Sequence, residues 1–145
     1  MQVRHILYGK GREVVAIPSN ATICDAAKVL ADKKIGALVV KENDGMLTGI
    51  ISERDLVRAI AKGGASALSE QVSNHMTAQP ETCIEADTVE SLMEAMTRGR
   101  FRHMPVLDEE MQLCGMISIG DVVKTRIAET VSEAAALRDY ISTAV

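Results

Sequence analysis

Two Ser-x-x-Asp spacings stand out for the chemistry they permit: Ser52 with Asp55, and Ser118 with Asp121. Each follows a short apolar run and opens a stretch with apolar residues at helical spacing. The first N–H groups of a helix lack intrahelical partners and the helix dipole is positive there, so a phosphate is stabilised beside either serine. The serine hydroxyl adds a donor. Three residues on, the aspartate has acceptor capacity for the two cis hydroxyls of a ribose. The same spacing also describes an ordinary N-cap with a carboxylate offsetting the dipole. Spacing alone leaves both readings open.

The pattern gains weight because it is duplicated in register. Ser118 lies 66 residues after Ser52, and the same offset relates Thr22 to Thr88, Val40 to Val106, Gly49 to Gly115, Ile51 to Ile117 and Asp55 to Asp121. No gap is needed across these positions, which implies two copies of one supersecondary unit, over about residues 14–62 and 80–128. Within the first copy, Val14 to Ile17 reads as a strand ended by Pro18, and Thr22 or Asn20 caps a helix carrying Ile23, Ala26, Ala27 and Leu30. The runs Ala37–Val40 and Leu47–Ile51 flank Asn43-Asp44-Gly45 and read as a hairpin. A second helix opens at Ser52 and ends at Gly63-Gly64. The second copy repeats this order, with Asp108-Glu109-Glu110 in the turn.

Outside the copies, Gln2-Val3 echoes Gln71-Val72 at an offset of 69, three more than in the body. The extra residues are placed in a loop over Tyr8 to Arg12. Its Gly9-Lys10-Gly11-Arg12 stretch fits either a phosphate cradle of backbone amides plus lysine charge or a plain flexible loop, and it lacks P-loop spacing. Beyond copy two, Val123, Ile127, Val131, Ala134, Leu137 and Ile141 continue one helical face, so the last helix is expected to outrun its counterpart.

This duplicated β-α-β-β-α unit, with Met76-Thr77 ahead of copy two and a terminal Gly-x-Ile-Ser-x-x-Asp, resembles the CBS domain pair, the regulatory module named after cystathionine β-synthase. Copy two carries the resemblance best, through Phe101-Arg102-His103-Met104-Pro105-Val106 and Gly115 to Asp121. Copy one lacks the Met-Thr lead and has no proline matching Pro105. The resemblance implies an α/β (α+β) fold, two pseudo-symmetric repeats packed as one module with an extended C-terminal helix. The expected divisions are repeat one over 1–65 with its lead and the 8–12 loop, a connector over 66–76, repeat two over 77–128, and a helical extension over 129–145.

It also implies two equivalent clefts between the repeats. Ser118 and Asp121 would be completed by the segment from Lys10 to Val15 and by Ile35-Gly36-Ala37, where Gly36 and Ala37 leave room for a flat base. Ser52 and Asp55 would be completed by Thr77 and Phe101-Arg102-His103. Arg102 and His103 match positions where the family often places phosphate ligands, and solvated surface charge is the alternative. The implied function is a non-enzymatic sensor of an adenine nucleotide, AMP, ADP, ATP or NAD(H), with S-adenosylmethionine disfavoured by the basic residues. The alternative is a homodimeric interaction module with vacant clefts. Either way an unidentified regulated protein and a homodimer are the expected partners.

Composition narrows the field further. The chain has 145 residues, 47% of them hydrophobic and 25% charged, a globular mixture of single-domain size. Its net charge of −4 and three aromatic residues, Tyr8, Phe101 and Tyr140, argue against nucleic-acid binding by phosphate attraction or base stacking. No apolar run reaches the ~18 residues of a membrane span, and no signal-peptide pattern opens the chain, so a cytoplasmic location is expected. Cys24, Cys83 and Cys114 form no C-x-x-C pair, and His5, His75 and His103 show no metal spacing, so no metal is expected. No catalytic constellation is found.

Overall fold

A computed structural model describes residues 1–143. The chain opens with helix α1 (Val3–Lys10), then runs β1 (Ala16–Ile17), α2 (Ile23–Lys33), β2 (Ala37–Lys41), β3 (Leu47–Ser52) and α3 (Glu53–Gly63). Two 3₁₀ turns, Gly64–Ser69 and Val72–Asn74, lead to β4 (Thr77–Ala78). Copy two follows as β5 (Cys83–Ile84), α4 (Val89–Gly99), β6 (His103–Leu107), β7 (Leu113–Ser118) and α5 (Ile119–Thr143). The fold is the expected mixed α/β pair of repeats with a long last helix. Of the expected extension over 129–145, the helix reaches Thr143, and 144–145 lie outside the described residues.

Equivalent residues shape equivalent elements. Thr22 caps α2 in a reciprocal box with Asp25, and Thr88 caps α4 by accepting from the Ser91 N–H. Both helices end on a left-handed residue, Lys34 and Arg100. In the hairpins, the Glu42 N–H donates to the Met46 carbonyl and the Asp108 N–H to the Gln112 carbonyl. Gly45 and Met111 supply the positive φ in these two turns.

The two sheets differ at one edge. In copy one the order is β1-β2-β3-β4, with β1 parallel to β2 and β4 antiparallel to β3, pairing Ile50 with Thr77. Copy two has three strands, β5-β6-β7. Where a fourth would lie, α1 covers the edge: Leu7 packs on Gly115, and the Lys10 ammonium donates to the Met116 carbonyl at 3.0 Å.

That arrangement corrects the loop expected over residues 8–12. Val3, Ile6 and Leu7 are buried at helical spacing, so their packing carries the helix through Gly9 to Lys10, and Gly11, with φ 98°, ends it. The lysine is held on the sheet edge and does not sit in a mobile glycine loop.

Each copy closes its core with the other's lead. Val3, Ile6 and Leu7 pack with Cys83, Val89, Leu92, Met104 and Ile117 of copy two, while Val72 packs with Ile17, Ile23, Leu38 and Ile51 of copy one. Matching backbone bonds fix both leads. Val3 N–H donates to Asp87 and Val72 N–H to Ala21; Arg4 donates to Glu85 and Ser73 to Ser19; Val89 donates to Met1 and Ile23 to Glu70.

The close approach of each lead needs a residue without a side chain. A Cβ on Gly49 would lie 2.6 Å from Met76 Sδ and 2.9 Å from the Thr77 carbonyl oxygen, whereas one on Gly115 would meet the Leu7 side chain. Gly49→Ala is therefore expected to lower stability by roughly 1–3 kcal/mol, because backbone must shift. Gly115→Ala should cost less, since a leucine end can turn away. Urea denaturation of the two variants checks the order.

Candidate functional site

Both Ser-x-x-Asp motifs stand at strand-to-helix junctions, β3 to α3 and β7 to α5. At the first, the Ser52 N–H donates to Asp55 Oδ2 at 2.8 Å and the Asp55 N–H donates back to Ser52 Oγ at 3.4 Å. At the second, the Ser118 N–H reaches Asp121 Oδ2 at 2.9 Å and the Asp121 N–H reaches Ser118 Oγ at 3.2 Å. The capping reading is thus realised in both copies. It engages Oδ2 of each carboxylate, and among the described residues Oδ1 makes no hydrogen bond, its nearest ionic neighbour at Asp55 being Arg58 at 3.9 Å. Each aspartate can cap its helix with one oxygen and accept from a ligand with the other.

Cleft one gathers Ser52 and Asp55 with Gly36 from copy one and Thr77, Arg102 and His103 from copy two. It measures about 130 Å³. Cleft two gathers Ser118, Lys10, Gly36 and Ala37, with Val14, Val15 and Met116 as apolar walls, and measures about 350 Å³. Asp121 joins it through Lys10, whose ammonium donates to Asp121 Oδ2 at 2.7 Å. Nine of the ten expected residues line the two clefts, Gly36 and His103 bordering both, while Asp121 lines neither and is linked to cleft two only through Lys10.

Spacing did not point to Glu53, Arg54, Arg58 and Arg100, which also line cleft one, while Glu13, within the expected Lys10 to Val15 segment, lines cleft two. Arg54 and Arg58 flank Asp55 in the sequence, at one residue before and three after, and helix geometry was the available signal. Arg100 is placed by the left-handed turn that ends α4, a position set by tertiary packing.

Charge is distributed unevenly between the clefts. Burial pushes the Asp121 carboxyl up, but the hydrogen bonds from Lys10 and the Ser118 N–H outweigh it and hold the group below its usual range. The Lys10 ammonium is thereby paired with Asp121 instead of standing in a flexible loop. Burial lowers the His103 imidazole below 6.5, Glu53 and Asp121 pulling up against it and Lys10 and Arg102 pushing down.

The CBS domain family model matches residues 3–62 and 71–128, both copies in full. This chain belongs to the CBS domain family. Among solved structures it is similar to a CBS-domain containing protein from Agrobacterium tumefaciens, at 48% identity and TM-score 0.84, covering 87% of this chain and 99% of that one. A CBS domain protein from Pyrobaculum aerophilum complexed with AMP matches at 29% identity and TM-score 0.75, over 83% of this chain and 89% of that one. The CBS domain pair of the protein MJ0100, in complex with 5′-methylthioadenosine and S-adenosyl-L-methionine, matches at 25% identity and TM-score 0.76, over 86% and 98%. Curated relatives are longer: at 38% and 30% identity, the chain spans 61% and 66% of two of them.

The wall between the clefts of this CBS pair has a pH signature. His103 titrates lower in the folded chain than its ordinary 6.5, so as pH falls below 6.5 the unfolded chain takes the proton first. The contribution of His103 to stability is therefore full above pH 6.5 and is lost as pH falls through the folded value. The wild-type chain should lose stability relative to His103→Gln over that window, as measured by denaturant titration at pH 7.5, 6 and 5. A constant difference between the two proteins would contradict it.

Proposed function

We propose that this chain is a regulatory, non-enzymatic module that binds adenosine-containing ligands in the two clefts between its repeats. One observation carries the reading. Each cleft places the serine at a helix start of one repeat opposite the opening of a strand from the other, and the aspartate three residues on caps that helix through Oδ2, leaving Oδ1 without a hydrogen bond among the described residues. A helix start suits phosphate, and the free carboxylate oxygen suits ribose hydroxyls. Related CBS pairs complexed with AMP, and with methylthioadenosine and S-adenosylmethionine, support the ligand class.

Regulation follows from where the ligand sits. A molecule that touches both repeats binds one relative packing better than another and shifts the population toward it, by as much as its affinities differ. A partner or a second copy of the chain then reads the packing.

A second observation favours self-association. Val123, Ile127, Val131, Leu137 and Ile141 of α5 are exposed, as are Val57 and Ile60 of α3. An apolar helix face of that length is ordinarily covered, and a homodimer is the simplest cover. Light scattering should give a dimer mass at micromolar concentration, and a chain ended after residue 128 should dissociate more readily. A monomer unaffected by truncation would exclude this assembly.

Calorimetry with AMP tests the sites themselves. Asp55→Ala and Asp121→Ala each remove a carboxylate from the first turn of a helix, worth about 0.3–1 kcal/mol of stability. Each should also weaken binding in its own cleft by roughly tenfold or more, through loss of charge-assisted bonds to ribose. Undiminished binding in the folded double variant would return both aspartates to capping alone.

A further inference from the structure

Copy two ends in a helix that copy one does not match. α5 runs for 25 residues against 11 in α3, and every residue from Thr130 to Thr143 is exposed. The helix is seated on the body by Val122, which is wholly buried, and by Arg126, which pairs with Glu90 of α4 and with Glu129. About a third of a turn round from Val122 lies a separate stripe. Val123, Ile127, Thr130, Ala134, Leu137 and Ile141 alternate in steps of four and three residues, and all six are exposed. That alternation is the heptad seam of a coiled coil, with Ile127, Ala134 and Ile141 at a and Val123, Thr130 and Leu137 at d. In α3 the matching positions stop after Val57 and Ala61, because the helix ends at Gly63.

The residues beside the seam carry charge of opposite sign on its two sides. The e positions, one after each d, are Lys124, Val131 and Arg138, and the g positions, one before each a, are Arg126, Glu133 and Tyr140. Arg126 is committed to Glu90 and Glu129, whereas Lys124, Glu133 and Arg138 make no ion pair among the described residues. When two such helices lie parallel, g of one meets e of the following heptad of the other, so Glu133 of each copy meets Arg138 of the other. When they lie antiparallel, like flanks meet, which sets Glu133 against Glu133 and Lys124 against Arg138. Like charges brought together at an interface oppose that arrangement.

We infer that a second copy of this chain covers the stripe, the two α5 helices winding as a parallel two-stranded coil from Val123 to Ile141 that holds both bodies at the same end. The inference rests on reading the chain as self-associating, and it fixes the face and the orientation that serve that association. Ile at a with Leu at d suits two strands. Val123, Ile127 and Thr130 also line a groove of about 410 Å³ together with Met93 of α4, so the second helix meets apolar surface of the body as well as of the seam. Thr130 and Ala134 are short and bury little, which leaves the choice of orientation to the charges beside them.

Sedimentation equilibrium on the full chain reads the dimer constant, and charge reversals read the orientation. Glu133 and Arg138 lie on the exposed overhang, so substitutions there leave the core of the body untouched. Glu133→Arg and Arg138→Glu should each weaken the dimer by roughly threefold or more, since each turns two attractions into repulsions, and the combined reversal should recover it. In an antiparallel pair Arg138→Glu would instead face Lys124 and tighten the dimer, a result that overturns the parallel coil. Leu137→Cys should form a disulfide between copies under mild oxidation that the wild-type chain does not form, because identical positions at that end of the seam face each other in the parallel coil alone. A dimer left unchanged by both charge reversals and by truncation after residue 128 would overturn the coil while leaving self-association standing through another face. A wild-type chain that stays monomeric would overturn both.

Discussion

The exchange of leads between the repeats is the constraint on which the rest of the structure depends. The segment before copy one seals the core of copy two with Val3, Ile6 and Leu7, and the segment before copy two seals the core of copy one with Val72. Hydrogen bonds at equivalent positions, Val3 to Asp87 and Val72 to Ala21 among them, lock each lead on its host. Cutting the chain between the repeats would separate each core from part of its own cover. Folding therefore couples the two copies, and the clefts between them inherit fixed walls from a single cooperative unit.

That coupling also explains how one short motif serves two ends. A capping box satisfies two backbone donors at a helix start and pins the aspartate in one rotamer. Because Oδ2 of Asp55 and of Asp121 accepts from the cap, Oδ1 of each is left without a hydrogen bond among the described residues. A carboxylate anchored in this way loses little rotamer freedom on binding, which lowers the entropic cost of engaging a ligand. Capping and binding are then not rival explanations of the same serine and aspartate. The first prepares the geometry that the second uses.

Much of this was legible in the sequence because the repeat supplied an internal control. The hairpins were readable from Asn43-Asp44-Gly45 and from apolar runs on either side, the caps from Thr22 and Ser52, and the presence of a lead before each copy, though not its exchange, from the echo of Gln2-Val3 in Gln71-Val72. The first helix was not. Gly9 and Gly11 signal a loop locally, and only burial of Ile6 and Leu7 against copy two overrides that signal, which is a tertiary effect. Likewise Lys10 read as a candidate phosphate ligand because its charge was visible while its destination on Asp121 and the Met116 carbonyl was not. Arg100 escaped notice for the same reason, since its place depends on how α4 ends and not on any spacing.

The positions that agree between copies and those that differ sort by what they touch. Val40 and Val106, and Ile51 and Ile117, are wholly buried, and Gly49 and Gly115 admit the two leads. A change at any of these disturbs packing and is felt by the whole fold. Glu53 against Ile119, Arg54 against Gly120 and Arg102 against Gly36 differ in charge and size, and these residues are exposed or only partly buried around the clefts. Substitution there costs the fold little, because solvent accommodates the change. The scaffold can therefore keep its symmetry while the two linings part in chemistry. A duplicated fold with two unlike clefts follows from the physics of where its residues sit, without any difference in how the two copies are built.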